Sequence, residues 1–232
     1  MRIHKICVIV SLLYQYAWVG RRTRKEEETM STKRNRKTIY MVQLALLIAI
    51  ILIMAFTPIG YIKTLGLEIT LIVVPVAVGA VVLGPLGGAI LGAVFGLTSF
   101  IQCFGLSVFG MALLDINPVF TFIVCFVPRV AMGWLTGVIY KGLCKAPSMN
   151  HFKVVIANLC APLLNTVFFM TTLILLFYQS DYIQGFVTSS GASNVFAFVI
   201  AFVGFNGLVE AGLNFVVGSA ITKALQVALK NV

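Results

Sequence analysis

The sequence predicts an all-α, polytopic membrane protein, and three observations carry that prediction. Charged residues make up 10% of the 232-residue chain and hydrophobic residues 60%, whereas a water-soluble domain carries roughly 25% charge. Mean hydropathy is +1.03. The apolar residues fall into six stretches separated by short turn-forming or basic segments.

The stretches lie at about 38–57, 69–83, 86–102, 118–140, 154–178 and 195–222. The first ends at Thr57-Pro58-Ile59-Gly60, and the second and third meet at the turn Gly84-Pro85-Leu86-Gly87. The second and third are shorter than the ~20 residues a helix needs to cross a bilayer, so each is expected to be kinked, shielded by protein or borderline in length. The chain divides into a basic cytoplasmic segment, 1–37, and a six-helix membrane domain, 38–232.

Charge distribution sets the orientation. Residues 1–37 hold ten Lys/Arg against three Glu, and residues 38–232 hold seven against four acids. With the amino terminus inside, Lys33, Arg34, Arg36, Lys37, Lys141, Lys145, Lys153, Lys223 and Lys230 fall on the inner side and Lys63 on the outer. The positive-inside rule then places both termini in the cytoplasm. Positive charge confined to termini and loops offers no surface suited to nucleic acid.

Met1–Gly20 has a short apolar run, but Arg21, Arg22, Arg24 and Lys25 follow it where a signal peptide would have a small-residue cleavage site. Arg24-Lys25-Glu26-Glu27-Glu28 is what a purine-rich ribosome-binding sequence yields on translation. Met30 is therefore expected to be the native start, in a prokaryotic plasma-membrane protein. The five cysteines, Cys7, Cys103, Cys125, Cys144 and Cys160, are scattered and read as small apolar fillers with no metal spacing. A Walker P-loop, an H-E-x-x-H helix and a G-x-S-x-G elbow are all absent from the sequence. It thus reads as a non-enzyme without cofactor or metal, unable to drive transport with ATP by itself.

Small residues mark packing faces. Gly84, Gly88, Gly92 and Gly96 form a ladder at i+4 spacing in the third stretch, suited to close helix approach within the bundle. Ala45 and Ala49 form a shorter pair in the first. In the last stretch, Phe202, Phe205, Val209, Leu213 and Val216 fall on one side. Gly204, Gly207, Ala211 and Gly218 fall on the other, flanked by Asn206, Glu210 and Asn214.

Ionisable groups at membrane depth cost ~2.5–3.5 kcal/mol on insertion scales, which singles out Arg129 and Glu210. Asn117-Pro118 reads as an N-cap followed by proline at the first helical position. Arg129 then lies about 16 Å into its helix at 1.5 Å per residue. Asn165, Asn206 and Glu210 reach similar depth on two other helices. Pro128 and Pro162 each free a backbone carbonyl beside these groups. Two arrangements fit: a buried Arg129–Glu210 ion pair, or a pocket for a small anionic molecule with Arg129 as counter-ion. Phe100, Gln102, Phe109, Asp115, Asn117 and Tyr182 supply aromatic and hydrogen-bonding groups on the outward side.

Several of these features together resemble the substrate-binding S components of energy-coupling factor (ECF) vitamin transporters. They are the six stretches, the Ala45/Ala49 pair, the run from Ile72 through Pro75, Gly79, Gly84, Pro85 and Gly88 to Gly92, Pro128-Arg129, Asn165-Thr166 and Asn206 to Glu210. The resemblance covers about 38–230 and is strongest to the pantothenate-specific branch. It implies a high-affinity vitamin binder that joins a transmembrane coupling subunit, through Ala45 and Ala49, and two ATPases that consume the ATP. Arg129 would meet pantothenate's carboxylate, and Asn165 and other amides its hydroxyls and amide. The riboflavin branch, a branch for folate or another vitamin, a self-sufficient secondary transporter or channel with Glu210 as proton site, and a non-transport scaffold are the competing readings.

Overall fold

The computed structural model describes residues 37–57, 60–63, 68–145, 152–189, 211–212 and 214–223. Residues 1–43 and 44–232 form two compact units. The first is described only at 37–43, as helical turns with Ile39, Met41 and Val42 exposed.

Four described helices are long and apolar enough to cross a membrane: α1 (Lys37–Ala55), α3 (Gly84–Gln102), α5 (Pro118–Cys144) and α6 (Lys153–Phe177). They match the first, third, fourth and fifth expected stretches. The last stretch lies mostly outside the described residues, Asn206 and Glu210 included, as do Lys33, Arg34, Arg36 and Lys230. Its described end is helical, with a π-helical turn at Asn214–Gly218. There Ala211, Asn214 and Gly218 are buried and Val216 exposed, as expected of the inward and outward faces, and Phe215 is exposed beside Val216.

The second expected stretch is the one that protein shields. It contains α2 (Val73–Val82), ten residues, spanning only about 15 Å at 1.5 Å per residue. Val73 to Val81 are all buried. A short helix that is apolar on every side is stable where protein surrounds it, and Leu47, Ile51 and Ala55 of α1, Leu91 and Phe95 of α3, Met132 of α5 and Ala161 of α6 form one core with it. Leu83 closes α2, its N–H donating to the Gly79 carbonyl at 2.8 Å. Gly84 follows at φ +82°, a left-handed conformation that glycine adopts without steric cost, and Pro85 opens α3.

Among the described residues the departure from an all-helical chain is a small antiparallel ladder. β1 (Tyr61–Lys63) pairs with β2 (Glu68–Thr70), Tyr61 opposite Thr70 and Lys63 opposite Glu68. Tyr61 and Ile62 in β1 and Ile69 and Thr70 in β2, aromatic or β-branched, favour extended backbone.

Two short helices occupy segments expected to be loops. Ser107 caps α4 (Val108–Ile116), its hydroxyl accepting from the Gly110 N–H at 3.3 Å. α7 (Asp181–Ser189) follows Ser180, whose hydroxyl accepts from the Ile183 N–H at 3.4 Å. Each is nine residues long, too short to span and so easily read as connection. Leu113 of α4 and Ile183 and Val187 of α7 build a second core with Val124, Met170, Leu173 and Phe177.

α3 and α5 pack backbone to backbone. A β-carbon at Gly88 would strike the Gly133 carbonyl, one at Gly92 the Arg129 carbonyl, and one at Gly96 would come within 2.8 Å of Phe126 Cα. The glycine ladder therefore serves packing inside the chain, as its spacing suggests. The outer surfaces of the long helices stay apolar: Leu46, Leu86, Val119 and Leu175 are 59–77% exposed. Hydrocarbon, not water, suits such a belt.

Candidate functional site

Arg129 organises the interior of the bundle. Proline at 128 has no N–H to give the Val124 carbonyl four residues back. The Arg129 side chain fills that vacancy, its Nη1 donating to the Val124 oxygen at 2.7 Å. The guanidinium carbon lies 5.4 Å from the Phe95 ring centre and 4.8 Å from that of Phe169. Phe95 belongs to the core around α2, and Phe169 packs against the core beneath α4 and α7. A cation between two ring faces is stabilised by their quadrupoles. Nε of Arg129 is buried and has no hydrogen-bond partner among the described residues.

Asn165 precedes Phe169 by four residues on α6 and so shares its face. It is buried, and its Oδ1 likewise lacks a partner among the described residues. An unpaired donor on Arg129 and an unpaired acceptor on Asn165 thus flank the same aromatic side chain. Unsatisfied buried polar atoms are costly and rare in native structures, and a site that awaits a polar ligand is one setting that explains them.

The other expected site residues serve the ends of helices or separate aromatic groups. Gln102 is the buried last residue of α3, and its Nε2 donates to the Ala55 carbonyl at 2.5 Å, closing the end of α1. Asn117 caps α5 as its sequence context indicates, Oδ1 accepting from the N–H groups of Val119 and Phe120 at 3.0 and 3.2 Å. Phe100 meets Phe104 and Phe122 edge to face, at 5.4 and 5.2 Å between centres. Phe109 packs against Tyr182, joining α4 to α7, and burial raises the Tyr182 phenol above its ordinary pKa. Asp115 is exposed at the end of α4. Ala45 and Ala49 are both exposed on α1, in contrast to the interlocked glycines of α3.

Phe95 and Phe169 were not singled out from sequence, since one phenylalanine among 18 carries no distinguishing mark. Their positions are informative in retrospect: Phe95 lies between Gly92 and Gly96, and Phe169 one turn from Asn165. Asn158 was missed as well. It precedes Asn165 by two turns, is fully buried, and its Nδ2 donates to the Val154 carbonyl at 2.9 Å and to Thr222 Oγ1 at 3.3 Å. That contact ties α6 to the final helix. The cysteines are also less scattered than their spacing suggests, because Cys103 Sγ and Cys125 Sγ lie 3.8 Å apart.

The comparisons with known proteins bear on what such a bundle does. No curated protein matches the chain. A family model described as "ECF transporter, substrate-specific component" matches residues 39–221, which takes in α1 from its third residue onward, α2, α3, α5, α6 and the Arg129 site. The chain belongs to the family of substrate-specific components of ECF transporters.

Proposed function

We propose that the protein captures pantothenate for uptake, with Arg129 as the counter-ion of its carboxylate. The observation that carries this reading is the half-buried Arg129 side chain, held by Val124, Phe95 and Phe169 with its buried Nε still unpaired. Three of its contacts orient the planar group and leave a charge-assisted donor for a carboxylate. Asn165, with a free acceptor, suits a ligand hydroxyl or amide N–H. Asn206 and Glu210 lie outside the described residues and join the site in this reading by their place in the last stretch. Gln102 and Asn117 at the helix ends and Phe100 and Phe109 in their own aromatic groups would line its outward side in this reading.

The protein would sit in a prokaryotic plasma membrane with six spans and both termini inside. A transmembrane coupling subunit would dock on the Ala45/Ala49 face, and two partner ATPases would consume the ATP, the chain itself holding no cofactor. Riboflavin is the second candidate, favoured by the paired rings of Phe95 and Phe169, which a flat heterocycle could use in place of the guanidinium.

Calorimetry on the purified full-length protein separates them. Pantothenate should bind saturably and riboflavin should not displace it. Tight riboflavin binding with no response to pantothenate would replace the first reading by the second. Binding of neither, with pH-driven flux in vesicles free of ATPases, would instead favour a self-sufficient transporter. Glu210→Gln tests the ion-pair alternative: a loss of stability ahead of affinity would mark Glu210 as the partner of Arg129.

A further inference from the structure

The two buried thiols beside this site have no part in the reading above. Cys103 closes α3 and Cys125 lies inside α5, and they are 3% and 7% exposed. Their sulfurs are 3.8 Å apart, and Cys103 Sγ also lies 3.4 Å from the Ser99 carbonyl oxygen. A solitary buried thiol behaves as a small apolar filler. Two thiols in contact, on different helices, have a reaction open to them that one does not. The local packing is close: a β-carbon at Gly110 would come within 2.6 Å of Cys103 Sγ, so α4 also packs tightly against Cys103. Cys125 precedes Arg129 by four residues, placing the pair one turn from the guanidinium on the same face of α5.

We propose that Cys103 and Cys125 form an oxidisable dithiol that closes to an internal disulfide, linking the end of α3 to α5. The sulfurs must approach from 3.8 Å to about 2.05 Å. The oxidant is a small disulfide. The thiolate of one cysteine attacks it and expels one small thiol, leaving a mixed disulfide. The second cysteine, as thiolate, attacks the protein sulfur of that intermediate and expels the second small thiol. The protein loses two electrons and two protons, and the two released thiols carry them away.

The test uses full-length protein in membranes, with Cys7, Cys144 and Cys160 replaced by serine, and 2,2′-dithiodipyridine as the small uncharged disulfide. Thione release is followed by absorbance and the product by intact mass. The Cys103/Cys125 protein should release two thiones per chain, retain no thiopyridyl group and lose the mass of two hydrogens, reversibly with dithiothreitol. At least one of the single variants, Cys103→Ser or Cys125→Ser, should retain a thiopyridyl group because no second thiol is present to displace it. Any thiopyridyl group kept by the two-cysteine protein would overturn the proposal. So would an absence of thione release from the folded protein.

Discussion

Arg129 Nη1 donates to the Val124 carbonyl at 2.7 Å, the acceptor left without its helical N–H by Pro128. A defect in the helix thereby becomes a device for holding a cation in place. The same residue offers its backbone to Gly92 and its guanidinium to Phe95 and Phe169. Helix packing and the proposed binding chemistry consequently meet at one position.

Replacing this side chain tests its role in binding. Arg129→Ala removes a charge-assisted hydrogen bond worth roughly 1.5–3 kcal/mol, so pantothenate affinity should fall by about tenfold to a hundredfold. Arg129→Lys should recover little, because a point charge on a flexible stem reproduces neither the fork nor the ring contacts. Calorimetric titration of both variants gives the answer, and an unchanged Kd in Arg129→Ala would remove Arg129 from the site.

The backbone contact at Gly92 makes a different prediction. Gly92→Ala forces a β-carbon against the Arg129 carbonyl, and overpacking of this kind costs typically about 1–3 kcal/mol. The variant should melt several degrees lower in detergent and bind more weakly, since α5 must shift to relieve the clash. Gly142→Ala is the control: a β-carbon there meets nothing within 4 Å, and with alanine the better helix former its melting temperature should equal or exceed that of the parent.

For the exposed alanine pair, binding and transport should separate. Leucine at both Ala45 and Ala49 fills a flat strip on α1 where another helix can approach closely. The isolated protein should still bind its ligand, while ATP-dependent uptake by the assembled transporter should collapse. Loss of both functions, or uptake at the parental rate, would end the docking assignment.

The link between Asn158 and Thr222 is open to a double-mutant cycle. Asn158→Ala removes a buried side chain that bonds both its own helix and the final one, a loss of about 1–3 kcal/mol. Thr222→Val should cost less, and the double variant should be destabilised by less than the sum of the two singles. Strict additivity in thermal or denaturant unfolding would show that the pair contributes no coupling.

Sequence by itself determined the membrane class, the four long helices and the N-cap at Asn117. It also marked the glycine ladder and singled out Arg129 and Asn165. These follow from properties that act locally or are summed along the chain: hydropathy over a helix length, small residues at i+4, a proline that frees a known carbonyl, a charge too costly to bury without purpose. Only the tertiary structure decided that residues 73–82 form a short helix enclosed by protein, because apolar periodicity is the same whether lipid or protein surrounds it. The same holds for α4 and α7, whose nine-residue lengths say nothing of the core they complete. Phe95 and Phe169 reach Arg129 from helices distant in sequence, and Cys103 finds Cys125 across 22 residues. The Phe95 and cysteine contacts depend on how closely α3 approaches α5, a distance set by the backbone contacts of Gly88, Gly92 and Gly96 with a partner that the ladder itself does not name, and the Phe169 contact depends on the packing of α6 against α5.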